Sequence, residues 1–458
     1  MQEIDLNNPK NWEKNIPKRL WQLSWPSAIS LLSFALMCTI DTFFIGKYLG
    51  KNELAGTGLA CSLLWLIIST VFGLLDGTKT TIANAIGDRK TGLANQYFVA
   101  SIYIALTVGM LMTLVSIFGI LQGIDHLSEN PAQANAASTY YFTRVLIYPA
   151  IFLIAVCEKN FEARGNTRAP MIAAILGNTC NAIFDYVFIV YFTYGVDGIA
   201  YATNIGTILQ LCVLLYTQKN HTLNCLNWRI KNMLHIKQVW RLGKPQIIVN
   251  FLATGSFTLL SILVSLFSAT DMAAQQIVLN VEHLVLLPVL AIASSLNTLV
   301  AQACGADRFE LIKKTTKHAL CFGLIFSFFG VTMFLFFGEE LASLFIEDAS
   351  VKKRAAQIFV IVAIFHIADA ILIPVSNTLR AAGDVRFTAW VSSITAWCVA
   401  PPIMWLVGIK MGYGVVGGWL GIAIEIIIVT IIFSFRLQGN TWVTIAKTSR
   451  KSVLATNE

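Results

Sequence analysis

Charged side chains are scarce in this sequence. Only 13% of its 458 residues are Asp, Glu, Lys or Arg, while 56% are hydrophobic. A soluble domain carries about 25% charged residues. The shortage of charge therefore excludes a soluble globular protein.

Sequence signatures of metal, nucleotide and covalent chemistry are also missing. The nine cysteines form no CxxC pair and have no histidine at a ligand spacing, so we interpret them as reduced packing residues. There is no GxxxxGK[ST] loop, no His/Glu metal cluster and no Ser/His/Asp pattern. We therefore expect no cofactor and no enzymatic activity. The alternative from another class of function is a membrane-embedded enzyme that uses buried acids.

Long apolar runs dominate the sequence instead. A hydrocarbon core about 30 Å thick needs about 20 apolar residues in a helix, and lipid leaves no partner for open strands. The segment Met1–Arg19 is polar and precedes no cleavage site, so no cleaved signal peptide is expected. We predict an all-α membrane protein with 12 transmembrane helices, near residues 20–47, 53–86, 93–121, 135–160, 169–193, 196–218, 239–268, 272–303, 316–338, 354–380, 387–409 and 414–436.

Lysine and arginine are distributed unevenly between the two sides of these spans. With an even number of spans both ends lie on one side, and that side carries 25 of the 33 lysines and arginines. The opposite loops carry 6. The positive-inside rule therefore places both termini in the cytoplasm of a multi-pass protein of the cell inner membrane. The net positive charge is an orientation signal, so no nucleic acid partner is expected.

An internal repeat relates the two halves of the chain at a nearly constant offset. Pro26 falls on Pro245, and Ile82–Gly87 falls on Val300–Gly305. Because each copy holds six spans, the copies have the same topology and form parallel repeats around a central cleft. The predicted organisation is a cytoplasmic N-tail (1–19), an N-lobe (20–218), a cytoplasmic linker (219–238), a C-lobe (239–437) and a cytoplasmic C-tail (438–458).

Acidic residues inside the predicted spans need an explanation, because an ionised side chain at the centre of a membrane helix costs about 2.5–3.5 kcal/mol. Counted along their helices at about 1.5 Å per residue, Asp41 and Asp185 both lie about two-thirds of the way out from the cytoplasm. We predict that they share a chamber in the N-lobe. Neither has an acidic counterpart at the repeat offset, and this asymmetry favours a function.

Polar neighbours extend this predicted chamber. Asn181 lies one helical turn before Asp185 and so on the same helical face. Thr203 and Tyr140 are candidate lining groups. The structural alternative is that each acid is merely satisfied by a Ser, Thr or Asn of a neighbouring helix.

Five further charged residues within the spans receive other interpretations. Lys79 and Asp76 are predicted to form a structural ion pair, and Arg144 to anchor at the outer interface, with contact to the chamber acids as the alternative. A structural role is favoured for Glu282 and Glu425, although Glu282 beside His283 can also line the cleft.

Five motifs occur in order along the chain: Trp25-Pro26, Ile40–Gly46, Glu162–Thr167, Asn181 with Asp185, and Gly195–Thr203. Together they resemble the multidrug and toxic compound extrusion (MATE) family, and the resemblance covers essentially the whole chain. The resemblance implies an exporter that couples inward movement of protons or sodium ions to outward movement of cationic or amphipathic compounds. It is strongest to the DinF-type branch.

The resemblance also implies site residues and partners. The cation site of that branch matches Asp41, Asn181, Asp185 and Thr203, where Na⁺ or a proton would bind, and Pro26 matches its bending point. The implied partners are small organic cations or amphipathic drugs and membrane lipids, and a monomer is expected. The candidates for the substrate cavity are Tyr140, Asn178, Met37, Glu282 and Asp369.

One departure separates the chain from the NorM-type branch. That branch carries a glutamate on the seventh helix, where this sequence offers Asn250 and Thr254. Asp369 does match its acid on the tenth helix, so a role in the C-lobe stays open. The other transporter hypotheses are a lipid-linked precursor flippase of the same superfamily and a major facilitator protein, the latter suggested by Gly87–Lys90.

Overall fold

The computed structural model describes residues 9–124, 130–221, 233–265 and 269–455, and every regular element in these ranges is helical. Most of the predicted linker, residues 222–232, lies outside the described residues. So do residues 1–8 of the predicted N-tail and 456–458 of the predicted C-tail.

The long helices of these ranges are numbered in chain order. Those of the first half are α1 (Ile16–Phe44), α2 (Lys51–Gly87), α3 (Thr91–Val115), α4 (Pro131–Val145), α5 (Tyr148–Ala163), α6 (Arg168–Tyr186) and α7 (Gly195–His221). Those of the second half are α8 (Leu234–Ser265), α9 (Ala269–Gly305), α10 (Glu310–Phe336), α11 (Ala349–Ala381), α12 (Val385–Cys398), α13 (Val415–Gln438) and α14 (Thr441–Leu454).

Length and hydropathy identify the membrane spans among these helices. Within the described ranges, 10 helices are long and apolar enough to cross a membrane, and the bent pair α4 and α5 counts as an eleventh. α8 has 32 residues and contains residues 239–265 of the predicted seventh span, 239–268, whose last three residues lie outside the described ranges. At 1.5 Å per residue that helix is about 48 Å long, which exceeds the thickness of a bilayer core.

The fourth span is broken between α4 and α5, whose axes differ by 53°. Pro149 lies in the first turn of α5, where a missing backbone N–H costs nothing. Thr113 of α3 donates its hydroxyl to the carbonyl oxygen of Val145 at 2.9 Å, so the carbonyl at the break has a partner. The break leaves Arg144 in the last turn of α4.

π-helical turns follow the acid-bearing ends of α1 and α6. Gly50 N donates to the carbonyl oxygen of Ile45 at 3.1 Å, and Phe192 N donates to that of Val187 at 3.0 Å, in the hydrogen-bond spacing of a π-helix. Two more π-helical segments lie in the described ranges: Ser116–Ile120 follows α3, and Met404–Lys410 follows the short helix Ala400–Ile403 at nearly the repeat offset from Val187–Tyr191. Single π turns are frequent at functional sites, and two of them directly follow the helices of Asp41 and Asp185.

The chain divides into two compact units. The N-unit comprises Ile29–Ile86, Lys90–Ile247 and Leu454–Glu458, and the C-unit comprises Met1–Ala28, Gly87–Arg89 and Ile248–Val453. Each unit therefore draws mainly on one half of the chain. The borders within α1 and α8 fall just after Pro26 and Pro245, which the repeat relates to each other.

Within the N-unit, α6 and α7 pack with their backbones in contact. A Cβ atom on Gly206 would lie 2.6 Å from the carbonyl oxygen of Gly177, and a Cβ atom on Gly177 would lie 2.8 Å from that of Gly206. Only glycine at both positions allows this approach, as is common between membrane helices. The contact brings the polar face of α7 against Asn181 of α6.

Candidate functional site

The candidate site is a pair of buried acids in the N-unit. Asp41 lies in the last turn of α1 and is 8% exposed, while Asp185 lies near the end of α6 and is fully buried. Their carboxyl groups lie within hydrogen-bonding reach of each other. The structure thus brings together the two acids that the sequence placed at equal depth.

Asn181 and Thr203 complete this cluster. Thr203 Oγ1 lies 3.4 Å from Asp41 Oδ2. The amide of Asn181 satisfies both of its neighbours when its nitrogen faces the acid: Nδ2 then donates to Asp41 Oδ1 at 3.1 Å, and its oxygen accepts from the backbone N–H of Thr203 at 3.3 Å. All four predicted residues of the cation site therefore meet at one point.

One atom of the cluster stands out. Asp185 Oδ1 is buried and has no hydrogen-bond donor in the part of the chain that the structure describes. A buried carboxylate oxygen without a donor is costly, and a proton or a bound cation would remove that cost. Carboxylate, amide and hydroxyl oxygens are the ligands that hard cations prefer, so the residues present fit Na⁺ as well as a proton.

Tyr140 and Arg144 of α4 border the acid pair. Tyr140 is buried and hydrogen-bonds with Cys61 of α2. Arg144, one turn further along α4, donates from Nη1 to Asn204 Oδ1 at 2.6 Å and interacts electrostatically with Asp41. The arginine thus belongs to the surroundings of the acids, the alternative that the sequence left open.

The remaining N-lobe candidates lie on the same helices. Asn178 Nδ2 donates to Ser33 Oγ at 2.8 Å and so joins α6 to α1. Met37 is half-buried on α1, one turn before Asp41. Contact of either residue with a substrate stays a prediction.

Both halves of the chain match one known protein family. The family model described as MatE matches the chain twice, over residues 26–187 and 245–406. The two matches begin at Pro26 and Pro245, the residues that the predicted repeat relates, and together they span more than half of the chain. The chain belongs to the MATE family.

Individual relatives agree with this assignment. The chain is 26% identical over 425 residues to a probable multidrug resistance protein NorM of Bacillus cereus, covering 89% of this chain and 91% of that protein. Its fold matches an outward-facing multidrug resistance MATE transporter of the MOP superfamily with a TM-score of 0.86 at 19% identity, over 94% of this chain and 97% of the other. A MOP superfamily transporter from Pyrococcus furiosus gives the same TM-score over 97% of both chains.

Membership of the MATE family fixes the architecture and the general class. MATE transporters have 12 helices in two lobes, and this multi-pass membrane protein is a transporter of that fold and not an enzyme. The curated relative carries the NorM name, so the assignment to the DinF-type branch stays a prediction. It depends on Asp41, Asn181, Asp185 and Thr203.

The C-unit of this MATE protein holds its own intramembrane acids. Asp369 of α11 is 8% exposed and interacts electrostatically with Glu282 of α9 and Glu425 of α13. Glu425 Oε1 accepts a hydrogen bond from Thr395 Oγ1 at 3.2 Å. The structure therefore groups Glu282 and Asp369 in a unit other than that of Asp41, and their role in a substrate cavity stays a prediction.

The predicted ion pair between Lys79 and Asp76 is wrong. Lys79 Nζ bonds Glu162 Oε2 of α5 at 2.6 Å, while Asp76 bonds Lys159, also of α5. Lys79 and Asp76 lie near each other on one helix, but each faces an opposite charge on the neighbouring helix. The two salt bridges fasten α2 to α5.

Sequence reasoning missed several neighbours of the acid pair. Asn204, Cys61 and Ser33 carry no motif, and each receives its partner from a different helix. Only one signal was available: Asn204 directly follows Thr203, which is itself a predicted site residue. Arg144 is noticeable as a charge within a span, but the sequence does not indicate the amide that holds it.

Replacing Gly206 with alanine tests how α7 is held against the site. The new methyl group would meet the carbonyl oxygen of Gly177 and the Cβ of Asn181, the latter at 2.9 Å. We expect Gly206→Ala to destabilise the protein by about 1–3 kcal/mol and to weaken cation binding, because Asn181 must move away from Asp41. Thermal unfolding in detergent and a binding isotherm measure both. Gly58→Ala is the control, since no atom of the described residues lies within 4 Å of its Cβ position. Equal effects of the two substitutions would contradict the packing argument.

Replacing Lys79 with methionine tests the salt bridge to Glu162. The side chains are 7% and 21% exposed, and breaking a buried pair by removing one partner costs about 3–5 kcal/mol. We expect Lys79→Met to lower the unfolding midpoint strongly. Lys79→Met combined with Glu162→Met should recover most of that loss, because no unpaired charge remains. A double variant less stable than the single one would show that the bridge is not the source of the effect.

Proposed function

We propose that this MATE-family transporter is a secondary active multidrug exporter that exchanges cationic or amphipathic organic compounds for protons or Na⁺. The observation that carries the proposal is the buried pair Asp41 and Asp185, whose carboxyl groups lie within hydrogen-bonding reach. The exchange takes place at this pair and at Asn181 and Thr203 beside it.

The physical basis of the exchange is repulsion between two carboxylates. If both are ionised in a buried site, they repel each other and lack water to screen them. A proton, a sodium ion or a cationic compound each relieves that repulsion. Because all three use the same oxygens, loading one lowers the affinity for the others, and this mutual exclusion is what couples their movements.

The ion gradient supplies enough free energy for export. One elementary charge that crosses 100 mV gains about 2.3 kcal/mol. At about 1.4 kcal/mol per factor of ten, this supports a concentration ratio of roughly 50 for a neutral compound. A pH or sodium gradient adds to that value. For a monovalent cation that gradient is the whole driving force, because exchange of one monovalent cation for one proton or sodium ion moves no net charge across the membrane.

Access to the site depends on the bend at Pro26 and on movement of the two lobes, and loop charge sets the orientation of the protein in the membrane. Pro26 interrupts the hydrogen-bond ladder of α1 on the same helix as Asp41 and nearer its N-terminus. A change in the bend at Pro26 would link occupancy of the acid to the shape of the helix, and rocking of the two lobes would give alternating access. Loop basicity supports cytoplasmic termini and the inner membrane.

Asp41→Asn tests the proposed site directly. The amide keeps the shape of the side chain but neither ionises nor carries a proton, so we expect coupled export to be abolished while the protein still reaches the membrane. Drug accumulation in cells, measured with and without a proton uncoupler, reports the loss. Glu347→Gln makes the same chemical change at an exposed position and should export like wild type. Wild-type export by Asp41→Asn would refute the assignment.

The coupling ion is tested separately in liposomes. Purified protein is reconstituted and efflux is measured under a pH gradient alone and under a sodium gradient alone. We expect at least one gradient to drive uphill efflux and Asp41→Asn to remove that response. Efflux that responds to neither gradient would contradict antiport.

A further inference from the structure

Arg144 brings a positive charge close to the proposed cation site. It is half-buried in the last turn of α4 and donates to Asn204 Oδ1 at 2.6 Å. Asn204 Nδ2 in turn donates to the carbonyl oxygen of Thr143 at 2.9 Å, which fixes the amide. Among the described residues, the guanidinium is therefore tethered to a neutral amide and not to a carboxylate.

The tether holds Arg144 beside the acids. Asn204 directly follows Thr203, whose hydroxyl lies 3.4 Å from Asp41 Oδ2, so one turn of α7 contacts both the base and the acid. Arg144 interacts electrostatically with Asp41. The break after Val145 places it at the C-terminal end of a helix, where the helix dipole favours a cation.

The other titratable groups around Arg144 are neutral at physiological pH. They are two thiols and two phenols, groups with ordinary pKa values of about 8.5 and 10. The charged side chains that act most strongly on Asp41 are one acid, Asp185, and one base, Arg144. The neutral groups are Cys38, Cys61, Tyr140 and Tyr148.

Counting charge shows what Arg144 does to the exchange. With both acids ionised, the two carboxylates and the guanidinium leave one negative charge, which one monovalent cation neutralises. With one acid protonated, the group is already neutral. An uncompensated charge inside the membrane is expensive, so the two favourable states differ by one monovalent cation against one proton.

We propose that Arg144 is the fixed countercharge of the Asp41–Asp185 pair and limits the site to one monovalent organic cation in exchange for one proton or one sodium ion. The inference rests on the proposed function and adds the charge class of the substrate and the stoichiometry. Without Arg144 the empty site carries two negative charges, so a dication, or two protons, becomes the neutral load.

Two ligands of nearly equal shape test the substrate class. 1-Methyl-4-phenylpyridinium carries one positive charge, and methyl viologen is a similar biaryl with two. We expect wild type to bind the monocation at least tenfold more tightly than the dication. Arg144→Gln should reverse that preference, whereas Arg144→Lys, which keeps the charge, should retain it. Binding isotherms on full-length protein in detergent measure the ratio, and a pH electrode counts the protons released per ligand bound.

A compensating double variant shows whether Arg144→Gln acts through its charge or by unfolding the protein. Arg144→Gln combined with Asp185→Asn removes one charge of each sign, leaves one acid and should restore the preference for the monocation with one proton released. An unchanged ratio in Arg144→Gln, or a preference for the dication in the double variant, overturns the inference about Arg144. If neither ligand binds to wild type, or if both bind equally well to Asp41→Asn, the proposed function itself fails and the inference with it.

Discussion

The cost of holding charge away from water governs the N-unit of this transporter. Two carboxyl groups, of Asp41 and Asp185, lie in a helical bundle at positions that are at most 8% exposed. Neither can stay ionised beside the other without a partner. Under the proposed function, a proton or a bound cation supplies that partner, and the site exchanges one for the other.

Local backbone features keep this cluster in place. The glycine contact between α6 and α7 sets the distance at which Asn181 meets Thr203. The break in the fourth span ends α4 just after Arg144, and π turns end the helices that carry the two acids. Each feature interrupts or tightens a regular helix close to the site. Away from it, the salt bridges of Lys79 and Asp76 fasten α2 to α5 through residues that do not touch the acids.

The two halves share a scaffold and differ in chemistry. The MatE model matches both halves at the offset that the sequence motifs indicate. The acids do not follow the repeat, since Met404 lies at the offset of Asp185. The C-unit instead groups Asp369 with Glu282 and Glu425. The duplicated fold thus carries a different cluster of acids in each half, and the proposed exchange uses only the one in the N-unit.

The sequence by itself determined the membrane class, the repeat and the family, and it predicted that Asp41, Asn181, Asp185 and Thr203 form the site. A chain that crosses lipid must do so as apolar helices, and each helical residue rises by a known distance. The depth of a residue in the membrane can therefore be counted along the chain, and a spacing of one helical turn puts Asn181 beside Asp185. Tertiary structure alone decided the partners that come from other helices. Lys79 pairs with Glu162 and not with Asp76, and Arg144 meets Asn204 far along the chain. Such contacts depend on the rotation of each helix about its axis and on the break after Val145. A small change in the rotation or in the break would point a side chain toward a different neighbour.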